Sequence, residues 1–322
     1  MTTTTVPPRD MSPASAAALA GAIETNMRRV IRGKEQAIRL AVITLFGSGH
    51  ILLEDVPGTG KTLFAKALAR SVHGELRRVQ GTPDLLPADL TGVAVLDPRE
   101  GAWRFREGPL FANVVLVDEI NRATPRTQSA LLEAMEERQI TADGSTRALP
   151  DPFMVIGTQN PHEHHGTFPL VEAQRDRFTM VLNLGLPSRE SERAILRGEA
   201  GADALAHIAP VADVAAVREA VRAVRAIHVA DPVADYVLDI VAATRHHDEI
   251  ELGASPRASV GLQRSAQAQA MIEGRTYVLP DDVKAVAVPA LAHRITTVGG
   301  FDLARSRHLI DTILRRVSVP RG

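Results

Sequence analysis

Gly58, Gly60, Lys61 and Thr62 fall close together in the run ILLEDVPGTGKT at residues 51–62, a spacing suited to holding an anion. Glycines let backbone N–H groups turn inward around a phosphate, and a helix starting there adds its dipole. The lysine reaches the terminal phosphates, and the Thr62 hydroxyl helps hold Mg²⁺. Further on, the run VVLVDE ends in Asp118 and Glu119, and a metal beside phosphates needs a carboxylate of this kind. Asp55 stands where the general G-x-x-x-x-G-K-[ST] pattern has its first glycine. Its carboxylate must point away from the phosphates, or it would repel them.

The flanking elements suit this chemistry. Residues 51–53 are a short apolar run that predicts a buried strand, and residues 57–60 are turn formers. From Lys61 the apolar positions recur at three and four, which predicts a helix to about residue 73. The run 114–117 is continuously apolar, as in a central parallel strand buried on both faces. Acids at the carboxyl end of such a strand lie at the ligand edge of an open α/β sheet.

The chain has 322 residues, enough for about two domains. Hydrophobic residues make up 45% and aromatics only 3%, so the core is built of Leu, Val, Ile and Ala. The 37 basic and 38 acidic residues leave a net charge of −1, with no global field to draw in nucleic acid or anionic lipid. There is no cysteine, which excludes disulfides, thiolate zinc sites and cysteine nucleophiles. Residues 1–15 are polar and proline-bearing and lack the apolar segment of a signal peptide, so a disordered tail is expected. No stretch nears the ~18 apolar residues of a membrane span, and a cytoplasmic protein is expected.

Helical periodicity covers residues 16–27 and 35–45, with a break at 28–33. Residues 92–96 and 102–106 flank a turn and predict a hairpin that carries Trp103, the single tryptophan. Alternation puts Trp103 and Phe105 on one face, which either packs on the neighbouring layer or touches a partner. Residues 127–137 read as an amphipathic helix, 139–148 as a second hairpin, and 153–160 as a buried strand with a polar end. A further strand is expected at 181–184. From residue 188 onward only helices are expected: 190–199, 211–227, 233–246, 259–273, one from Pro280, and 304–317. The fold class is therefore α/β, a phosphate-loop core with hairpin inserts over 16–186, followed by an all-α lid over 187–322.

Together these motifs resemble a MoxR-type AAA+ ATPase, of the branch with a helix-2 insert and a pre-sensor insert, over residues 30 to about 317. LLEDVPGTGKTLFAKALAR resembles the Walker A segment, where an acid before Val-Pro-Gly is normal. VVLVDEINRA resembles Walker B, VIGTQNP sensor 1, GTFPLVEAQRDRF the arginine-finger segment and GASPRAS the sensor 2 helix. The resemblance implies ATP as substrate and Mg²⁺ as cofactor. It implies nucleotide binding by Pro57, Gly58, Thr59, Gly60, Lys61, Thr62 and Leu63, with Val30, Ile31 and Gly33 lining the adenine. It implies Mg²⁺ held by Thr62 and Asp118, Glu119 as general base, and Asn160 holding the attacking water and γ-phosphate. Arg177 is implied as a finger reaching a neighbour's site, although Arg175 stands where an apolar residue is usual. Arg257 is implied as sensor 2, acting in cis or in trans.

The same resemblance implies a ring, usually hexameric, whose hairpins face the pore. It implies a chaperone that remodels protein complexes with a von Willebrand factor A domain partner. Two alternatives stay open: the ATPase subunit of a chelatase-like complex, and a nucleotide-gated scaffold with little turnover. A nucleic-acid motor fits poorly with the neutral charge balance. The run His162-Glu163-His164-His165 lacks the i, i+4 spacing of a helical zinc pair and reads as a solvated loop.

Overall fold

The computed structural model describes residues 11–99, 101–160 and 166–320. Its strands, in chain order, are β1 (Ile51–Glu54), β2 (Leu76–Gln80), β3 (Gly92–Asp97), β4 (Ala102–Glu107), β5 (Val114–Asp118), β6 (Gln139–Ala142), β7 (Ser145–Ala148), β8 (Met154–Gln159) and β9 (Met180–Leu182). Five of them form one parallel sheet in the order β2-β5-β8-β1-β9. Consecutive side chains serve opposite faces. Ile51, Leu53, Val114, Leu116, Met154 and Ile156 enter one hydrophobic cluster; Leu52, Val115, Val117 and Val155 enter the other. All five residues of β5 are buried, as its unbroken apolar run predicts.

Helices α1 (Pro13–Val30), α2 (Glu35–Phe46) and α3 (Lys61–Ser71) fill the first cluster, while α4 (Pro87–Thr91) and α5 (Pro125–Glu137) fill the second. The helix α1 begins three residues before the expected helix start at residue 16, so residues 13–15 are helical and not part of a disordered tail. Pro13 suits a first helical turn, and the Ser12 hydroxyl accepts from the Ser15 amide at 3.1 Å. Both hairpins form in antiparallel register, β3 with β4 and β6 with β7.

A short α6 (Glu172–Arg175) precedes β9. Beyond it lie α7 (Arg189–Leu196), α8 (Ala202–His207), α9 (Val214–Ala226), α10 (Asp231–Arg245), α11 (Pro256–Ile272), α12 (Pro280–Leu291) and α13 (Leu303–Arg316). Ser188 and Ser255 cap α7 and α11, and Asp282 accepts from the Leu279 amide at the start of α12. The lid is not purely helical. Residues Ile250–Leu252 pair antiparallel with Thr296–Thr297, a ribbon too short for its alternation to register in the sequence.

Nor does the lid have a core of its own. Leu262, Val283 and Ile310 belong to the same cluster as Ile23, Ile38 and Leu68 of the first three helices. No described helix is long and apolar enough to cross a membrane.

Candidate active site

The phosphate loop leaves β1 and enters α3 through two left-handed glycines, Gly58 at φ 84° and Gly60 at φ 92°. A Cβ on either would meet no atom within 4 Å, so both face open space above the helix. No side chain caps α3. Its first N–H groups are left to a ligand, as an anion cradle requires. The Lys61 ammonium donates to the carbonyls of Asp55 at 2.7 Å and Val56 at 3.1 Å, which folds it along the loop. Burial lowers its pKa, while Asp55, Asp118 and Glu119 act to raise it.

Asp55 does turn away from the cradle. Its carboxylate accepts from the backbone amides of Leu184 and Gly185, just past β9. The acid that breaks the general pattern therefore ties the loop to the strand leading into the lid.

Thr62 and Asp118 are brought together, the hydroxyl donating to Oδ2 at 3.4 Å. A hydroxyl and a carboxylate beside an uncapped helix start are donors suited to Mg²⁺ with phosphate. The other oxygen, Oδ1, accepts from the Thr158 hydroxyl at 3.3 Å. The same hydroxyl oxygen accepts the Glu119 amide at 3.0 Å, so β8 positions both acids.

Glu119 has φ 55°, a left-handed backbone that costs roughly 1–3 kcal/mol in a residue with a side chain. The bend is held by Gly81, where a Cβ would lie 2.2 Å from the Glu119 carbonyl. Gln80 at 2.9 Å and Arg122 at 3.0 Å donate to its carboxylate. Arg78 donates to Asp118 Oδ2 at 2.6 Å. Sequence reasoning missed Arg78, Gln80, Arg122 and Thr158. Arg78 and Gln80 alternate on an edge strand, whose pairing with β5 no local pattern announces.

Asn160 follows β8, and the register of Glu54 with Gln159 sets it level with Asp55. It lines a cavity of about 630 Å³ with Asn121, Arg175, Phe301 and Arg307. Glu54, in the same wall, is pushed above the usual carboxylate range by burial. Val30 and Ile31 are buried, and Gly33 turns at φ 71°. The Val30 carbonyl accepts from the Gly201 amide and the Arg32 carbonyl from the Ser191 hydroxyl, which puts this segment at the seam with the lid. His162 to His165 lie outside the described residues, and among those described no group of three or more His, Asp or Glu could hold a metal.

Arg177 and Arg257 are not brought to the phosphate loop. They share a cleft of about 300 Å³ with residues 47–50, at the amino end of β1, whereas the loop leaves its carboxyl end. Four strand residues separate the two, about 13 Å of chain. Arg177 donates to Glu136 at 3.0 Å, and Arg257 contacts the same carboxylate. Arg175 faces inward instead. Its guanidinium lies 3.8 Å from the Phe301 ring and donates to the carbonyls of Leu170 at 2.8 Å and His293 at 3.2 Å.

The two hairpins touch through Arg147, whose guanidinium sits 3.8 Å from the Phe105 ring. Trp103 shares that face by register, yet it is 70% exposed. It does not pack on a neighbouring layer of its own chain.

Comparison with known proteins agrees with this geometry. Residues 50–180 match the ATPase family associated with various cellular activities, and residues 242–314 match the AAA lid domain. The Chaperone MoxR1 of Mycobacterium tuberculosis is 38% identical over 98% of this chain and 88% of its own length. The YeaC protein of Bacillus subtilis is 41% identical over 94% of this chain and 95% of its own. A crystal structure assigned as an ATPase from Cytophaga hutchinsonii superposes with a TM-score of 0.86 at 34% identity, covering 96% of this chain and 97% of that one. The chain carries an AAA domain followed by an AAA lid domain. Within that class it belongs to the MoxR family.

Proposed function

We propose that this chain hydrolyses ATP at a composite site between two copies of itself and uses the turnover to remodel protein assemblies. One observation carries the reading: phosphate loop and acids lie at the carboxyl end of β1, while Arg177 and Arg257 lie at its amino end. Neither set completes a phosphoryl-transfer site alone. A head-to-tail contact that repeats and closes makes a ring, and six copies is our expectation.

In that site the glycine amides and Lys61 bind the triphosphate, with Val30, Ile31 and Gly33 at the base. Thr62 and Asp118 would hold Mg²⁺, which neutralises charge on the phosphate oxygens when bound. Glu119 accepts the proton of the attacking water, and Asn160 orients that water from the end of β8. Arg177 of the adjoining copy stabilises charge on the transferring oxygens. The bonds and ring contact that hold Arg175 inside the chain support giving this role to Arg177. The exposed Trp103 hairpin is the surface we assign to the client. A chaperone role and a von Willebrand factor A domain partner extend the reading, the former supported by the name of the mycobacterial relative.

Glu119→Gln tests the chemistry. ATP affinity should stay within about twofold of the parent while turnover falls by about 10²–10⁴. Full turnover by this variant would remove Glu119 from the mechanism.

A further inference from the structure

One oxygen of Asp118 has two claimants. Oδ2 faces the Thr62 hydroxyl, its partner toward Mg²⁺, and the same Oδ2 accepts from Arg78 Nε at 2.6 Å. The Asp118 side chain is only 10% exposed, so little water reaches it. Its other bonds are long and come from neutral hydroxyls, Thr62 at 3.4 Å and Thr158 at 3.3 Å. Among the described residues Arg78 is its one ion-pair partner, and a charge-assisted bond this short is the strongest hold on it.

Strand register brings Arg78 there. In the parallel pair of β2 with β5, Arg78 lies beside Leu116 and Gln80 beside Asp118. Alternation puts Arg78 on the same face as Leu116, while Val79 is buried on the other. The arginine stem runs along that face toward the carboxyl end, and its head meets the acid one alternation further on. β2 is an edge strand, with no strand of the sheet beyond it. The Arg78 side chain is 55% exposed, and its Nη2 donates to Gln80 Oε1 at 3.3 Å. The guanidinium therefore has a second acceptor and solvent within reach, and it can leave Asp118 without losing its partners.

We propose that Arg78 is a positioning residue that competes with Mg²⁺ for Asp118 Oδ2. Two cations at one carboxylate oxygen repel each other, so the metal is bound there only when Arg78 turns out toward Gln80 and solvent. With Arg78 in place, the charge of Asp118 is offset beside the phosphates, which favours nucleotide that carries no metal. Binding of free Mg²⁺ requires displacement of the guanidinium unaided. The phosphate oxygens of a nucleotide supply further ligands that offset that cost. The proposal rests on the assignment of Thr62 and Asp118 to the metal made above.

ADP affinity, measured by calorimetry in Mg²⁺ and in EDTA, tests this without any turnover. The ratio of the two affinities gives the coupling between metal and nucleotide, and formation of MgADP in solution contributes equally for every variant. Arg78→Ala should weaken ADP binding in EDTA by roughly fivefold, because Asp118 then faces the phosphates without its arginine. In Mg²⁺ the affinity should be unchanged or tighter, so the coupling rises at least about fivefold. Arg78→Gln keeps much of the side chain's length without its charge and should behave alike, which serves if the alanine protein does not fold. Arg78→Lys keeps the charge and should bring the ratio back to within about twofold of the parent. An arginine that merely braces the fold would weaken ADP equally in both media, and one that helps Asp118 hold the metal would lower the ratio. Either result overturns the proposal. If the ADP affinity of the parent ignores Mg²⁺, the metal assignment fails and the proposal with it. If the parent responds but Arg78→Ala and Arg78→Gln keep its ratio, only the proposal fails.

Discussion

The two ends of β1 are built on opposite plans. At the carboxyl end, one continuous stretch supplies the cradle, and its polar groups are pinned by short-range geometry. Gly58 and Gly60 set the turn, Thr158 positions both acids, and Gly81 makes room for the Glu119 bend. At the amino end, residues from six distant segments meet, and carboxylates shared between arginines hold them. Glu136 alone binds Arg177 and Arg257. The first end gathers its loop, hydroxyl and acids within one chain. The second gathers six arginines with Glu136 and Asp176 in its wall.

The largest effect should come from removing the finger. Arg177→Ala is expected to lower turnover by about 10³–10⁵ while ATP still binds, because the guanidinium serves another copy's phosphates. Mixing it with Lys61→Ala protein should restore part of the activity, since one interface type then carries both an intact loop and an intact finger. Verified mixed assemblies with no recovery would collapse the contrast between the two ends.

Arg175→Ala sharpens the same contrast on stability. It removes hydrogen bonds to Leu170 and His293 and the stacking on Phe301, so a loss of roughly 2–3 kcal/mol is expected by denaturant titration. Arg177→Ala, whose side chain is on the cleft surface, should cost well under half of that. The reverse order would mean that the wrong arginine faces the neighbour.

Acid should reach the amino end first. His50, in the cleft wall, and His293, bonded to the Phe178 carbonyl, both have pKa values lowered to about 3, chiefly by burial. A histidine near 6.5 when unfolded and near 3 when folded binds more protons unfolded in between. Stability is therefore full above pH ~6.5 and falls with pH, by up to about 1.4 kcal/mol per pH unit for each histidine. Glu54 at the carboxyl end runs the other way, since its raised pKa lets protonation favour the fold. Melting temperature against pH should flatten between about pH 4 and 6 in His50→Gln. An unchanged slope would remove His50 from the account.

The smallest effect belongs to Trp103. Its exposure predicts that Trp103→Ala changes stability by about 0.5 kcal/mol or less. Basal turnover should stay level, while any stimulation by a client protein is lost. A retained client response would take the hairpin out of the recognition surface.

The contiguous features were legible before any coordinates. The loop 57–62, the strand ending in Asp118 and Glu119, both hairpins and most helices follow from local pattern, because backbone turn preference and side-chain periodicity act over a few residues. The outward turn of Asp55 was also forced by charge alone, though not its partners at Leu184 and Gly185. Tertiary structure decided the rest. Arg175 and Arg177 sit on one short helical turn and its exit, and no spacing distinguishes an arginine stacked on Phe301 from one bound to Glu136 in the cleft. Arg78 and Gln80 became partners of the two acids only when β2 paired with β5. The cleft at the amino end of β1 is set by long-range packing, where loop closure brings together groups as far apart as Gly47 and Arg294. Local sequence carries no information about which distant charges will meet there.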